Sequence, residues 1–175
     1  SDGAGLAWAE AKAIQEDVSA ANASADLVIV LLHSGYEYVP APSPEQLAAA
    51  RAALEAGADL VLGHHAHVLQ GIEFRGKSAI LYDLGNFAFE IDGDPSTTIV
   101  NVWLDSTGVR QIEIVPAVIE AGHDVVVVTG DFEPAQFPVR SGANVGVEDH
   151  VPGAGVDQQA VRLRGAHARF AVDRS

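Results

Sequence analysis

The 175-residue chain contains no cysteine and no methionine. Without thiolates, neither a disulfide framework nor a Cys-ligated metal site is available to it. Basic residues are scarce as well: 10 Lys and Arg stand against 24 Asp and Glu, for a formal net charge of −14. Nucleic acids and anionic membranes attract basic surfaces, so neither is expected as a partner. Solubility alone accounts for an acidic surface. No apolar run approaches the roughly 20 residues a membrane helix requires, so no membrane segment is expected in this chain, and no N-terminal stretch has the layout of a signal peptide. An intact reading frame normally opens with Met, whereas this chain opens with Ser1. A fragment or a processed product is therefore expected.

What is present is enough for a packed domain, since 48% of the residues are hydrophobic and the length allows one sizeable core. Ala11, Ile14, Val18 and Ala21 recur three or four apart, which predicts an amphipathic helix over residues 5–21. Leu27 to Leu32 is an unbroken aliphatic run, β-branched at Val28, Ile29 and Val30, as expected of a central strand covered on both faces. It ends at His33. Ser43-Pro44-Glu45-Gln46 predicts a helix start, with Ser as N-cap, Pro in the first turn and Gln closing a capping box. Leu47, Ala50 and Leu54 mark its inward face and Gly57 its end. A strand at 59–62 follows. Strand, helix, strand with short joints is a βαβ unit, parallel and right-handed.

That unit delivers its strands into two histidine-bearing loops at the same edge, where ligands of open α/β sheets bind. In Leu62-Gly63-His64-His65-Ala66-His67-Val68, three imidazoles fall within four residues. Neutral imidazole is the commonest metal ligand, and side chains two apart point the same way where the backbone is extended. His65 and His67 could thus address one cation or two adjacent ones, or the tract could be a polar surface loop.

Further along, Ile72–Phe74 and Ser78–Tyr82 predict a hairpin around Arg75-Gly76-Lys77. Thr98–Leu104 and Val109–Val115 predict another, in which Ile112 and Ile114 alternate with Gln111 and Glu113 to leave one face wet. Between the hairpins, Phe87 and Phe89 are expected in the core rather than at a substrate. A strand is expected at 125–128, and residues 129–175, rich in Gly and Pro at first and then in Arg, as loosely ordered or edge structure. His123, His150 and His167 lie in weakly patterned segments and receive no role.

Three ordered motifs carry a resemblance: His33-Ser34-Gly35-Tyr36-Glu37-Tyr38, Gly63-His64-His65-Ala66-His67-Val68 and Tyr82-Asp83-Leu84-Gly85-Asn86-Phe87. The set resembles the CapA proteins of poly-gamma-glutamate capsule synthesis, members of the calcineurin-like metallophosphoesterase superfamily. The similarity runs over residues 5–120. It implies an α/β fold, the C-terminal part of a calcineurin-like layered α/β sandwich, with a βαβ unit followed by β-hairpins. Residues 1–120 would be the C-terminal half of that domain and 121–175 a weakly patterned extension, an edge strand plus loop. The resemblance assigns His33, His65 and His67 as metal ligands. His64 is a weaker ligand candidate, because the family places one residue between the Gly and the first liganding His. Ser34, Ala66 and Asp83 depart from the residues common in the family and put loop shape in question. Glu37 could hydrogen-bond a liganding imidazole and orient it, or be a surface carboxylate. Asn86 could contact substrate, although Asn after Gly in a turn is commonly structural.

The resemblance implies two divalent metals of the Mn, Fe or Zn class in the intact protein, a phosphoester substrate or an anionic polymer as partner, and a place in the cell envelope. No Asp-x-His or Gly-Asn-His motif precedes His33. The bridging carboxylate and the catalytic His are therefore expected upstream of Ser1, in a missing N-terminal half, and no catalytic residue is expected in this chain. Two alternatives stand beside a dimetal phosphoesterase: a non-catalytic envelope protein that binds or guides an anionic polymer, and a module holding one cation on three histidines.

Overall fold

The computed structural model describes residues 7–87 and 94–120, together with the backbone of short strands at 125–127, 139–141, 162–164 and 167–171. The first helix, α1 (Ala11–Asn22), starts later than the periodicity predicts; residues 7–10 are not helical, and Glu10 at its N-cap makes no side-chain cap. Strand β1 (Ile29–His33) leads to α2 (Pro44–Glu55), and β2 (Leu60–His64) pairs with β1 in parallel register. The predicted βαβ unit is thus present. The capping box of α2 is complete, with the Ser43 side chain accepting from the Gln46 amide and the Gln46 side chain accepting from Ser43 N–H. Its inward face differs from expectation. Gln46, Ala49, Ala50, Ala52 and Ala53 are buried, while Leu47 and Leu54 flank them half-buried. Small residues at the centre let the helix lie close against the sheet, and the two leucines seal its margins.

Strands β3 (Ile72–Arg75) and β4 (Ser78–Leu81) form the first hairpin; β5 (Ser96–Asp105) and β6 (Gly108–Ile119) form the second and longer one. The backbone segments add β7 (Val125–Val127) beside β6, β8 (Val139–Ser141) beside β3, β10 (His167–Ala171) beside β6 and β9 (Arg162–Arg164) beyond β10. One mixed sheet runs β1-β2-β4-β3-β8; the other runs β5-β6-β10-β9. The chain is α/β. Helices α1 and α2 pack on one face of the first sheet through Val18, Ala50, Ala53, Val61 and Ile80. Its other face meets the second sheet through Leu60, Ile72, Leu81, Ile112 and Ile114.

Three expectations are corrected. Among the described residues, strand β1 is terminal rather than central in its sheet, and its aliphatic run is covered on the helix side alone. Ile29 is 48% and Leu31 71% exposed; they share a face with Leu60 and Leu62 across the register, beyond the reach of the second sheet. Composition reports that a strand is apolar on both faces, not what lies over each. Phe87 is exposed at 59% instead of joining the core, while Phe89 lies outside the described residues. The wet face expected of β6 is in part dry: Glu113 is buried and accepts from Asn101 Nδ2 at 3.2 Å, because β5 and β10 flank β6 on both edges.

Candidate metal centre

The parallel register sets His33 directly opposite His64 at the carboxyl ends of β1 and β2, and Ser34 N–H donates to the His64 carbonyl at 3.1 Å. His64 is therefore the last residue of a strand rather than part of a loop. The chain then turns sharply. His65 has φ +109° and His67 φ +58°, and Tyr38 in the facing loop has φ +62°. Three non-glycine residues in this region of backbone space are uncommon, and such strain collects at sites that use it. The turn, not strand alternation, brings the imidazoles together, so the extended backbone assumed in relating His65 to His67 is corrected here.

His65 Nδ1 lies 3.1 Å from His33 Nε2, with the rings 4.8 Å apart between centroids and tilted by 58°. The His67 ring is 6.2 Å from that of His65. The Nδ1 of His67 is 2.6 Å from Asn86 Oδ1, and Asn86 Nδ2 donates back to the His67 carbonyl at 3.3 Å. With Nδ1 engaged by an acceptor, Nε2 is the nitrogen that would meet a cation. Tyr38 stacks on the same ring at 6.0 Å and donates its amide to the Ala66 carbonyl at 2.7 Å. Asn86 is buried, and its own carbonyl accepts from Thr97 Oγ1. It acts on His67 rather than standing at an open surface.

Asp83 was legible only as a departure from the family pattern, and it is the main support of this turn. It is buried, accepts from Ala66 N–H at 2.7 Å and from Gly85 N–H at 2.8 Å. Burial pushes its carboxyl above the usual aspartate range against those two amides and the nearby His64 and His67. The Asp-x-Gly spacing was the available signal, since an Asx turn uses that bond. Glu37 is exposed, and among the described residues it hydrogen-bonds no imidazole.

Two nitrogens bound to one ion at about 2.0–2.1 Å stand roughly 2.9–3.4 Å apart in square or tetrahedral arrangements. The His33–His65 separation of 3.1 Å fits that range. It equally fits an imidazole–imidazole hydrogen bond, so the same pair can hold either a proton or a cation. Among the described residues, no three His, Asp or Glu side chains are grouped closely enough to hold an ion. The described residues thus offer two nitrogen donors and a third imidazole beside them.

A family model described as "Bacterial capsule synthesis protein PGA_cap" matches residues 1–91, just over half of the chain and all three motifs. Over 101 residues the chain is 41% identical to the "Capsule biosynthesis protein CapA" of Bacillus anthracis, covering 57% of this chain and 25% of that protein. It is 39% identical over 101 residues to the "PGA biosynthesis protein CapA" of Bacillus subtilis (strain 168), covering 57% of this chain and 27% of that protein. A 49-residue stretch is 43% identical to "Uncharacterized protein y4sH" of Sinorhizobium fredii (strain NBRC 101917 / NGR234). The chain spans about a quarter of the length of the two CapA proteins. Family match and motif positions agree, and the chain belongs to the bacterial capsule synthesis family PGA_cap.

Proposed function

We propose that this chain supplies the histidine edge of a divalent-metal centre in a CapA-type protein of capsule or poly-gamma-glutamate synthesis, acting at a phosphoester or related bond in the cell envelope. The observation that carries it is the His33 Nε2 to His65 Nδ1 separation of 3.1 Å at the shared end of two parallel strands. His33 and His65 would hold one ion, and His67, oriented by Asn86, stands where a second of the Mn, Fe or Zn class would lie. A pair of such ions supplies Lewis-acid polarisation and a nucleophilic hydroxide near neutral pH.

This chain's own residues do the positioning. Asp83 pins the Ala66 amide, so the backbone between His65 and His67 keeps its turn. Asn86 and Tyr38 fix the plane of the His67 ring from two sides. Among the described residues no third His, Asp or Glu completes an ion-binding group with these imidazoles, so the anionic ligands and the proton-transferring group would come from outside the described residues. The edge of β1, unpaired among the described residues and with Ile29 and Leu31 exposed beside His33, is a suitable place for a further segment to pair. At −14 the chain repels polyanions, so a polyglutamate or phosphoester partner would need the cations as intermediaries.

The test is metal analysis and hydrolase assay on the full-length protein and on its H33A and H65A variants. Stoichiometric metal with turnover of an aryl phosphate, both lost in the variants, is the expected result. The 175-residue chain alone should show no enzyme-like turnover. A folded full-length protein with neither metal nor activity would overturn the proposal in favour of a non-catalytic protein that guides an anionic polymer.

A further inference from the structure

Gln46 and Gln70 are each 1% exposed, as deeply buried as the apolar core. Their side chains bond between loops rather than within one element. Gln46 Nε2 donates to Gln70 Oε1 at 2.9 Å and to the Tyr82 carbonyl at 2.8 Å, while Gln46 Oε1 accepts from Ser43 N–H at 3.3 Å. Gln70 Nε2 donates to the Val39 carbonyl at 2.8 Å, and Gln70 N–H donates to the Asp83 carbonyl at 3.0 Å. The amide orientation of Gln46 is fixed by its partners, because a flipped group would set an oxygen against two acceptors.

The three loops joined in this way are the ones that carry the histidine site. Val39 and Ser43 belong to the loop that leaves His33, Gln70 to the loop holding His65 and His67, and Tyr82 precedes Asp83 and Asn86. The turn after His33 rests directly on the Gln46 amide. A Cβ added at Gly35, whose φ is +130°, would stand 2.7 Å from Gln46 Oε1. Only glycine accepts both that backbone and that approach. Helix α2 reaches the other two loops through this side chain, using the oxygen for its own cap and the nitrogen for Gln70 and the Tyr82 carbonyl.

We propose that the Gln46–Gln70 amide pair is the positioning device of the histidine site, setting the separation of His33 from His65 by locking three loops together. The geometric claim stands on the bonds above; its consequence for metal binding rests on the proposed function. Buried networks of this kind hold their geometry only when every member is satisfied, and groups that orient ligands from behind typically change metal affinity by about 10–100-fold when removed.

Two readouts separate the claims. In the metal-free chain, the His33 and His65 rings, 4.8 Å apart, should give a ring-proton NOE. In the full-length protein, Co²⁺ titration followed by its visible absorption gives affinity and coordination geometry. Q70L, at a temperature where its far-UV dichroism is native, should lose the NOE and bind Co²⁺ about 10–100-fold more weakly with an altered spectrum. A53G, a destabilising change in the buried face of α2 outside the network, should keep both. If Q70L does not fold, Q70N, which shortens the amide by one methylene, is judged by the same criteria. A folded glutamine variant that retains the NOE overturns the proposal, as does a wild-type chain that never shows it. Absent Co²⁺ binding by wild type, with the NOE lost only in the glutamine variants, would remove the metal reading and leave the positioning role standing.

Discussion

His65 Nδ1 meets His33 Nε2 at 3.1 Å although 32 residues separate the two in sequence. Parallel pairing of β1 with β2 provides the coarse approach, and the positive φ of His65 provides the last step. Two neutral imidazoles at this distance share either a proton or an ion.

Chelation should therefore reverse a measurable part of the stability of the full-length protein. A cation at about 100 times its Kd stabilises by about 2.7 kcal/mol. H33A and H65A should each lose most of that increment, read as a metal-dependent shift in thermal midpoint, while their midpoints in EDTA stay near that of wild type. Equal metal-dependent shifts in wild type and both variants would place the ion elsewhere.

The elements governed by local chemistry were legible. Ser43 to Gln46 announced the start of α2, Gly57 its end, and Gly76 the first hairpin turn, because caps and turns are written in a few adjacent residues. The motifs also indicated where the imidazoles gather. How they gather was not legible, since it depends on a left-handed turn at His65 and on Asp83 gripping Ala66 from 17 residues away. Burial was the weakest inference. The capping pattern marks Gln46 as a cap, and it is also the centre of a buried network; aromatic character suggests core for Phe87, which is exposed; the aliphatic run suggests a central strand for β1, which is an edge among the described residues. Each of these depends on what another part of the chain covers.

Ser34 offers a test in the stabilising direction. Its Oγ is buried and has no hydrogen-bond partner among the described residues. An unsatisfied hydroxyl carries a desolvation penalty of about 1–3 kcal/mol. S34A should be neutral or more stable by about 1 kcal/mol in urea unfolding, with metal binding unchanged. A loss of metal affinity in S34A would reveal a ligand-side partner for the hydroxyl.

Gly63 owes its identity to packing. A Cβ there would stand 2.0 Å from the Tyr82 carbonyl oxygen and 2.7 Å from its carbon. Both atoms are backbone at the exit of β4, so no flexible side chain can yield. G63A must pry β2 from β4 just ahead of the histidines. The expected cost is at or above the upper end of the roughly 1–3 kcal/mol typical of overpacking, measured by chemical denaturation. A loss below about 1 kcal/mol would mean that the strands can separate freely at this point.

Glu73 makes stability depend on acid. Its carboxylate is buried on β3 and accepts from Arg51 Nη2 at 3.0 Å, Arg75 Nε at 2.7 Å and Tyr82 Oη at 2.8 Å. Burial alone would raise its pKa, but the bonds from Arg51, Tyr82 and Arg75 outweigh burial and hold it below the ordinary glutamate range. The folded protein therefore favours the ionised form. That contribution is complete above the unfolded-state pKa, roughly 4.3 for glutamate, and is lost as pH falls through the lower folded-state value. E73Q leaves Arg51 and Arg75 facing a neutral amide. Breaking a buried pair costs about 3–5 kcal/mol, and the partial exposure of both arginines sets the expectation at about 3 kcal/mol near pH 7. The difference between wild type and E73Q should be constant from pH 7 down to about 5 and shrink below about pH 4. A gap that does not narrow in acid would show that Glu73 acts through packing rather than through its charge.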